Sequence, residues 1–378
     1  MIYLDYNATT PLDGDVVKAI SEHMSGNCWG NPSSSHPAGV RAKEVLESAR
    51  RQVSDLLRCR PGEIVFTSGG TESNNAVLMG VACSLRKKGR HFVTSSIEHP
   101  SILQPALFLL ENGWDVTFLP VDGTGMVSAD DLRKAIRPDT VLISIMHANN
   151  ETGTVQPIVE MSSTAREHGI LFHTDAAQTA GKIETAVDAL GVDFLTMCGH
   201  KLYAPKGIGI LYVREGVQIE PLIHGSGQEA GRRPGTENVM LAVGLGTACV
   251  SARRFLDEGG AQRERSLREL VLELITSAIP EVVLNGHREE RLPNTLNISF
   301  PGLNGGEIIG SIPEVCASTG AACHDRSVGV SHVLSAMGVS REVGMGVVRL
   351  SVGRPTTEAE IREAARLIVE TVKGMKRG

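Results

Sequence analysis

Short apolar runs recur through the first two thirds of the chain, and polar stretches with helical spacing separate most of them. Seven runs have the length and the β-branched or aromatic content of buried strands, at residues 63–68, 91–96, 115–121, 140–146, 170–175, 193–197 and 209–213. Apolar strands that alternate with helices predict an α/β fold with a mainly parallel sheet covered on both faces. The last two runs are too close for an intervening helix, so we expect one antiparallel strand.

The pattern changes after about residue 255. A charged helix is predicted over 261–279, short strands near 295–300 and 347–353, and a final amphipathic helix over 357–375. This order of helices and short strands predicts a smaller α+β domain beside the large one. We therefore expect a large domain at 11–255, and a small domain built from 1–10 and 256–378.

Composition narrows the function classes. The 378 residues carry a net charge of −6 and 4% aromatic residues, which argues against nucleic acid or an anionic membrane as a partner. We expect no apolar run of membrane-spanning length and, with acidic residues early in "MIYLDYNATTPLDGD", no signal peptide. Seven cysteines without paired spacing predict neither a disulfide framework nor a metal site, and indicate a cytoplasmic protein.

Polar residues follow five of the predicted strands, at the carboxyl ends where α/β sheets bind ligands. The first of these strands runs into "GGTESNN", which opens a helix. Gly69 and Gly70 allow close approach of the backbone, and Thr71 lies where free N–H groups and the helix dipole favour an anion. By itself Gly-Gly-Thr before a helix is more often an ordinary turn and N-cap.

The other four strands end at His99, at Asn149 and Asn150, at Asp175 and Gln178, and at His200 and Lys201. Each alone is most often a turn, a helix cap or a solvated side chain. Together they complement one ligand that has a phosphate, an aromatic ring, a protonated ring nitrogen and an aldehyde carbon. That ligand is pyridoxal 5'-phosphate.

Each side chain then has an expected role toward this cofactor. Lys201 would hold the aldehyde as a Schiff base, which needs a partly desolvated amine. Asp175 would keep the pyridine nitrogen protonated, so that the ring accepts electrons. His99 would stack on the ring, and Gln178 and Asn150 would bond its phenolic oxygen.

Motifs along the whole chain resemble the cysteine desulfurases and selenocysteine lyases, which are pyridoxal-phosphate enzymes of fold type I in the class V aminotransferase superfamily. The motifs are "LDYNATTP", "GNPSSSH", "TSGGTESNN", "EHPS", "NNETG", "HTDAAQ", "GHKLYAPKGIG", "RPGTEN", "LPNTLN" and "VRLSVGRPTT". The resemblance implies a homodimer with active sites near the subunit interface.

The resemblance also implies further site residues. Gly70, Thr71, Cys198 and His200 would hold the cofactor phosphate, with Thr236 reaching the phosphate bound by the partner subunit. Cys198 stands where the family often has serine, and a thiol is a poorer hydrogen-bond donor. Arg354 would clamp the substrate carboxylate with its planar fork, helped by Asn31 and Asn150. The catalytic nucleophile would be Cys323, in "ASTGAACHDRS".

The resemblance favours a cysteine desulfurase that converts L-cysteine to L-alanine and leaves sulfur as a persulfide on Cys323. Its expected partner is a sulfur acceptor such as an iron–sulfur scaffold protein. The main alternative is a selenocysteine lyase that acts on L-selenocysteine, because "GAACH" is closer to those enzymes. Against this alternative, those lyases tend to carry an acidic residue after the stacking histidine, where this chain has Pro100. An aminotransferase would not need Cys323, and a non-enzymatic scaffold would not need Lys201 or Asp175.

Overall fold

A seven-stranded sheet forms the centre of the computed structural model, which describes residues 1–26, 28–319 and 329–377. Its strands lie in the order β2-β8-β7-β6-β5-β3-β4. They are β2 (Ile64–Thr67), β3 (His91–Ser95), β4 (Asp115–Leu119), β5 (Thr140–Ser144), β6 (Leu171–Asp175), β7 (Phe194–Cys198) and β8 (Gly209–Val213). Each of the seven predicted runs is a strand of this sheet, and the predicted fold class is confirmed.

The antiparallel strand is β8, which pairs antiparallel with both β7 and β2. The remaining neighbours pair parallel. Because β8 reverses direction between them, β2 runs parallel to β7. The carboxyl ends of β2, β3, β5, β6 and β7 therefore reach the same edge of the sheet.

Helices cover both faces of the sheet, because successive strand residues point to opposite sides. Phe66, Ile143 and Leu195 pack in the larger core with α2, α6 and α8, whereas their neighbours Val65, Leu142 and Phe194 pack with α3 and α4. The helices are α1 (Gly14–Ser25), α2 (Pro37–Leu57), α3 (Gly70–Leu85), α4 (Pro100–Glu111), α5 (Ala129–Ala135), α6 (Ile158–Glu167), α7 (Val187–Leu190), α8 (Val239–Asp257), α9 (Gly260–Ala278), α10 (Gly305–Gly310), α11 (His332–Ala336), α12 (Arg341–Met345) and α13 (Glu358–Met375).

A separate hydrophobic core joins the two chain ends. Its strands are β1 (Ile2–Tyr3), β9 (Val283–Leu284), β10 (Thr295–Ser299), β11 (Val315–Cys316) and β12 (Val347–Ser351). β12, β10 and β9 form an antiparallel sheet, and β1 pairs with β11. Ile2 and Leu4 pack here with α9 and α13, so the first residues lie beside the last 120 or so. The boundaries proposed at residues 10 and 255 stay a prediction.

Helix α8 is long and apolar enough to cross a membrane, judged by length and composition within the described part of the chain. The expectation that no apolar run reaches this length is therefore wrong for α8. Its position in the fold explains its composition: Ala242, Leu245, Ala248 and Cys249 are fully buried in the larger core. A helix surrounded by protein on much of its surface is apolar for that reason alone.

The polar loop at 225–238 is held to the sheet by a buried ion pair. The Arg50 guanidinium donates to both carboxylate oxygens of Glu229 at 2.7 Å, and the Phe66 N–H donates to the same carboxylate at 2.9 Å. Only 1% of the Glu229 side chain is exposed. Glu229 and Ala230 both adopt left-handed backbone conformations, with φ of 49° and 56°. Such strain persists only where surrounding contacts hold it.

Replacing Glu229 with glutamine should lower the free energy of unfolding by about 3 kcal/mol, because it leaves the buried Arg50 charge without its main counter-charge. Urea denaturation of the two proteins measures this difference. The matched control is Glu22→Gln, which breaks an exposed pair with Lys18 and should cost less than about 1 kcal/mol. Equal losses in both variants would show that the pair does not anchor the loop.

Candidate active site

Lys201 lies in the turn that follows β7, within a single 3-10 turn at Gly199–Lys201. The N-terminal segment holds this turn in place. The Thr10 N–H and hydroxyl both donate to the carbonyl oxygen of His200, at 2.8 and 3.0 Å. The Tyr203 N–H in turn donates to Thr10 Oγ1 at 2.8 Å. Lys201 is thus fixed at the carboxyl edge of the sheet by backbone contacts on both sides.

His200 is a neutral imidazole at neutral pH. Burial, together with the positive charges of Lys201 and Lys206 and the nearby His99, lowers its pKa to about 4. Its Nδ1 lies 3.3 Å from Thr9 Oγ1. A neutral ring beside Lys201 can donate an N–H to an anion without adding a second buried cation.

Asp175, the last residue of β6, is 8% exposed. One carboxylate oxygen accepts the Ala177 N–H at 2.9 Å and the other accepts Asn74 Nδ2 at 2.7 Å. No lysine, arginine or histidine of the described residues forms an ion pair with it. A buried carboxylate that has donors but no cation is suited to a charged N–H group of a ligand.

A chain of hydrogen bonds connects Asp175 to His99. Asn74 on α3 donates to both Asp175 and the Ser101 hydroxyl, which lies 2.8 Å from it. Ser101 Oγ lies 2.7 Å from His99 Nδ1, and the Ser101 N–H donates to the same nitrogen at 3.1 Å. Since Nδ1 accepts a backbone N–H, the proton of the neutral ring is on Nε2. The two side chains expected to contact the cofactor ring are therefore oriented by one amide.

The amino end of α3 lies beside the same edge. Its first N–H groups have no helical acceptors, as at every helix start, and Gly70 and Thr71 occupy its first two positions. Gly69, with φ of 152° and ψ of −177°, needs to be glycine. A Cβ on Gly70 would meet the Cβ of Cys198 at 3.6 Å, an ordinary contact. The requirement for glycine thus falls on Gly69, although Gly70 is the predicted cofactor contact.

An acidic side chain in the first turn of α3 is neutralised. Glu72 would repel an anion, but Arg233 Nε donates to it at 2.8 Å and the Ser68 N–H at 2.9 Å. The same pair connects the loop at 225–238 to the amino end of α3.

Cys198 lies close to the first turn of α3. It stays a neutral thiol because burial raises its pKa, an effect that the Lys201 charge only partly offsets.

Gln178 and Asn150 meet at Asn7, in the N-terminal segment. Gln178 Nε2 donates to the Asn7 carbonyl oxygen at 3.0 Å, and Asn7 Nδ2 donates to the Asn150 carbonyl oxygen at 3.2 Å. Gln178 Oε1 accepts from Lys182 Nζ at 3.1 Å. Asn7 also bonds Thr295 on β10 through its side chain. The polar residues of the two cores therefore form one network beside the site.

Arg354 extends over aromatic rings at the boundary between the two cores. Its guanidinium lies 4.4 Å from the centre of the Tyr203 ring and 5.1 Å from that of Phe255. The backbone N–H of Arg354 donates to Tyr203 Oη at 2.8 Å, and the guanidinium Nη1 lies 3.5 Å from Asp13 Oδ2. The long 3.5 Å contact leaves the guanidinium able to bind a carboxylate.

These residues fit pyridoxal 5'-phosphate. Asp175 is a buried acid that has no cation as partner among the described residues, the first N–H groups of α3 have no acceptors within the helix, and Lys201 supplies an amine at the same edge of the sheet. The buried Asn74 Oδ1 has no hydrogen-bond partner, which also indicates a polar group missing from the site.

Known proteins share this sequence and fold. The family model for class-V aminotransferases matches residues 2–363. The cysteine desulfurase IscS of Dictyoglomus turgidum is 44% identical over 377 residues, which are 99% of this chain and 95% of that protein. A solved NifS-like protein is 37% identical, with a TM-score of 0.92 over 98% of this chain and 99% of its own. A structure of SspA in complex with cysteine is 38% identical, with a TM-score of 0.80 over 93% and 99%.

The chain belongs to the cysteine desulfurases. The family resemblance found in the sequence is confirmed, and so is the dependence on pyridoxal phosphate that this family carries. The selenocysteine lyase alternative is not favoured, since the curated relatives at 41–44% identity are named as cysteine desulfurases.

Two of the predicted site residues that the structure describes are not gathered with the others in this cysteine desulfurase. Asn31 lies in an exposed turn, where its side chain accepts the Ser33 N–H at 2.9 Å. Thr236 is exposed in the loop at 225–238. Cys323 lies outside the described residues. The roles of all three, like the other residue assignments, stay predictions.

Sequence reasoning missed several residues that orient the site. Asn74 lies one turn inside α3, and Tyr203 lies within the turn after Lys201. Asp13 is the N-cap of α1. A search of strand ends does not reach such positions. A usable signal was the presence of three amide or hydroxyl side chains in a row, at Ser73–Asn75, in an otherwise apolar helix.

Asn74→Ala should lower kcat/KM about 10- to 100-fold, because two buried acceptors lose a donor and one of them is charged. The neighbouring Asn75→Ala is the control, since Asn75 Nδ2 donates to a carbonyl oxygen within its own helix at 2.9 Å and reaches the Ser101 carbonyl oxygen only at 3.5 Å, without bonding the Ser101 hydroxyl or Asp175. Steady-state kinetics on both proteins measure the effect. Equal rates in the two variants would exclude Asn74 as the residue that orients Asp175 and His99.

Proposed function

We propose that the residues at this sheet edge convert L-cysteine to L-alanine and pass the sulfur atom to Cys323. Lys201 carries the cofactor, Asp175 faces its ring nitrogen, and His99 lies on its ring. Gly70, Thr71, Cys198 and His200 hold its phosphate. Gln178 and Asn150 face its phenolic oxygen.

One observation carries this proposal. Asp175 is 8% exposed, has no cation among the described residues, and is connected to His99 through Asn74 and Ser101. A purely structural acid at a strand end would be paired or solvated. A ring with a protonated nitrogen supplies the missing positive charge, and the ring face lies where His99 can reach it.

Arg354 is assigned to the substrate carboxylate. Its guanidinium is stacked on Tyr203 and stays charged in this setting, while Asp13 limits its motion from one side. A carboxylate would accept two parallel N–H bonds from the planar fork. Asn31 and Asn150 are proposed to complete the substrate contacts.

Bound pyridoxal phosphate supplies an aldehyde that condenses with amines and a ring that accepts the electron pair of a Cα–H bond. Lys201 Nζ, at this same edge of the sheet, would take the α-proton of the substrate and return protons later. His200, neutral at neutral pH, adds no competing charge beside it.

Cys323 is the proposed sulfur acceptor. Its thiolate attacks the substrate sulfur, so that an S–S bond forms as the substrate Cβ–S bond breaks. The electron pair left on the substrate is protonated, and alanine departs. The product on the protein is a persulfide, which a second protein must remove before the next turnover.

L-cysteine is the proposed substrate rather than L-selenocysteine. A free cysteine thiol is largely protonated at neutral pH, whereas a selenol is ionised. A nucleophilic thiol is therefore needed more for sulfur than for selenium. The solved relative described with cysteine, at 38% identity, supports this choice.

Assembly and partners are also proposals. A homodimer is supported by exposed Met24 and Trp29, which are 70% and 79% exposed, and by the outward position of Thr236. Thr236 would then contact the phosphate in the partner subunit. An iron–sulfur scaffold is the proposed sulfur acceptor, supported by relatives named IscS. A cytoplasmic location follows from the cysteine usage.

Cys323→Ala should bind L-cysteine at normal affinity but release at least about 100-fold less alanine, because Arg354 and the cofactor residues are untouched while the nucleophile is gone. Mass spectrometry of the wild type after cysteine treatment should find one added sulfur on the Cys323 peptide. Cys316→Ala, a thiol loss seven residues earlier in the chain on strand β11, is the control and should keep its activity.

Full cysteine turnover by Cys323→Ala would contradict the assignment, as would added sulfur on Cys316 or Cys198. Loss of cysteine turnover with selenocysteine turnover retained would return the selenocysteine lyase alternative to consideration.

A further inference from the structure

Lys182 is a buried lysine for which the proposed chemistry has no use. It lies four residues after Gln178 in the sequence and is 7% exposed. Its Nζ donates to Gln178 Oε1 at 3.1 Å and to Asn7 Oδ1 at 3.4 Å. A lysine is seldom buried without a paired role, so its presence here needs a reason.

The contact between Lys182 and Gln178 fixes which way the glutamine amide faces. The two orientations of an amide have nearly the same shape, and only hydrogen bonds separate them. An ammonium group can only donate, so it requires Oε1 on its side. Nε2 then donates one N–H to the Asn7 carbonyl at 3.0 Å and keeps its second N–H for another acceptor.

A carboxylate on α9 opposes the Lys182 charge. Glu264 is 3% exposed, and its Oε2 is buried without a hydrogen-bond partner. Among the charges that act on Lys182, Glu264 has the largest effect, ahead of Lys201, Cys198 and Arg349. The positive charges of Lys182, Arg354 and Arg263 in turn favour the ionised form of Glu264. The lysine and its counter-charge come from different cores, so the pair spans the boundary between them.

We propose that Lys182 is a positioning residue that turns the Gln178 amide so that its free N–H faces the phenolic oxygen of pyridoxal phosphate. Glu264 keeps Lys182 protonated from across the core boundary. A neutral Lys182 could accept as well as donate and would no longer impose one amide orientation. This inference rests on the proposed function, because it assumes that Gln178 faces the cofactor.

Because Lys182 and Glu264 both titrate, the orientation that Lys182 imposes on the Gln178 amide should depend on pH. Burial, which the Glu264 carboxylate only partly offsets, lowers the pKa of Lys182 to about 7, and burial, partly offset by Lys182, raises the pKa of Glu264 to about 7. As pH rises through this range, Lys182 loses its proton and with it the constraint on Gln178. Removing the Glu264 charge should lower the pKa of Lys182, so that the constraint is lost at a lower pH.

The test uses purified holoenzyme of the wild type, Lys182→Met, Gln178→Leu and the double variant. Lys182→Met should lower kcat about 10- to 100-fold, the cost of losing a charged hydrogen bond. KM for cysteine should change less than about 3-fold, because Arg354 is untouched. The double variant should be no slower than Gln178→Leu alone, since both changes remove the same interaction. Lys134→Met, which breaks an exposed pair with Asp131 on α5, is the control.

A second readout does not depend on turnover. The visible absorbance of the bound cofactor is titrated with pH in the wild type, in Lys182→Met and in Glu264→Gln. We expect a transition near pH 7 that moves to lower pH in Glu264→Gln and disappears in Lys182→Met. Glu264→Gln keeps the Lys182–Gln178 contact, so it remains informative if Lys182→Met does not fold.

Independent, multiplying losses in the double variant would overturn the positioning role, as would a pH transition that is the same in all three proteins. Failure of the proposed function looks different, because then neither the wild type nor Lys134→Met would bind pyridoxal phosphate or convert cysteine.

Discussion

The whole site depends on one constraint of the parallel sheet. A strand buried on both faces can leave polar side chains available to a ligand only at its ends, because within the strand each needs a buried partner, as His173 on β6 has in Ser144 and Thr196. Six strands of this sheet end at the same edge, and the antiparallel β8 lets β2 be one of them. Five of the six are followed by candidate site residues. Lys201, Asp175 and His99 are distant along the chain, but each follows or ends a strand whose carboxyl end lies at this edge, so all three are brought to the same side of the sheet.

Polar groups at such an edge must also be oriented, and buried amides do this work. Asn74 holds Asp175 and, through Ser101, His99. Asn7 connects Gln178 to Asn150 and to β10 in the second core. Each link is a single hydrogen bond, but together they leave the side chains few alternative positions. The N-terminal segment thereby fixes the Lys201 turn and joins the two cores at the site.

Strand positions and the residues at strand ends were predictable, because a period of two and an abrupt change from apolar to polar are local signals. The positions of Lys201 and Asp175 at strand ends follow from such signals, whereas their proposed roles needed the strand ends to be considered together. Asn74, Tyr203 and Lys182 do not follow from local signals, because their roles depend on which helix or turn packs against which strand end. Arg354 and Cys323 came from family resemblance, since no local pattern sets them apart. Asn31 and Thr236 are exposed within one chain, so the fold of a single chain gives their predicted roles no support.

The most direct measurement is to locate the lysine that holds the cofactor. Borohydride reduction of the holoenzyme makes that linkage permanent, and peptide mass spectrometry then finds the lysine that carries the phosphopyridoxyl group. Our account predicts the group on Lys201 alone, with Lys182 and Lys206 unmodified. A phosphopyridoxyl group on Lys182, or none on any lysine, would contradict the placement of the active site at this sheet edge.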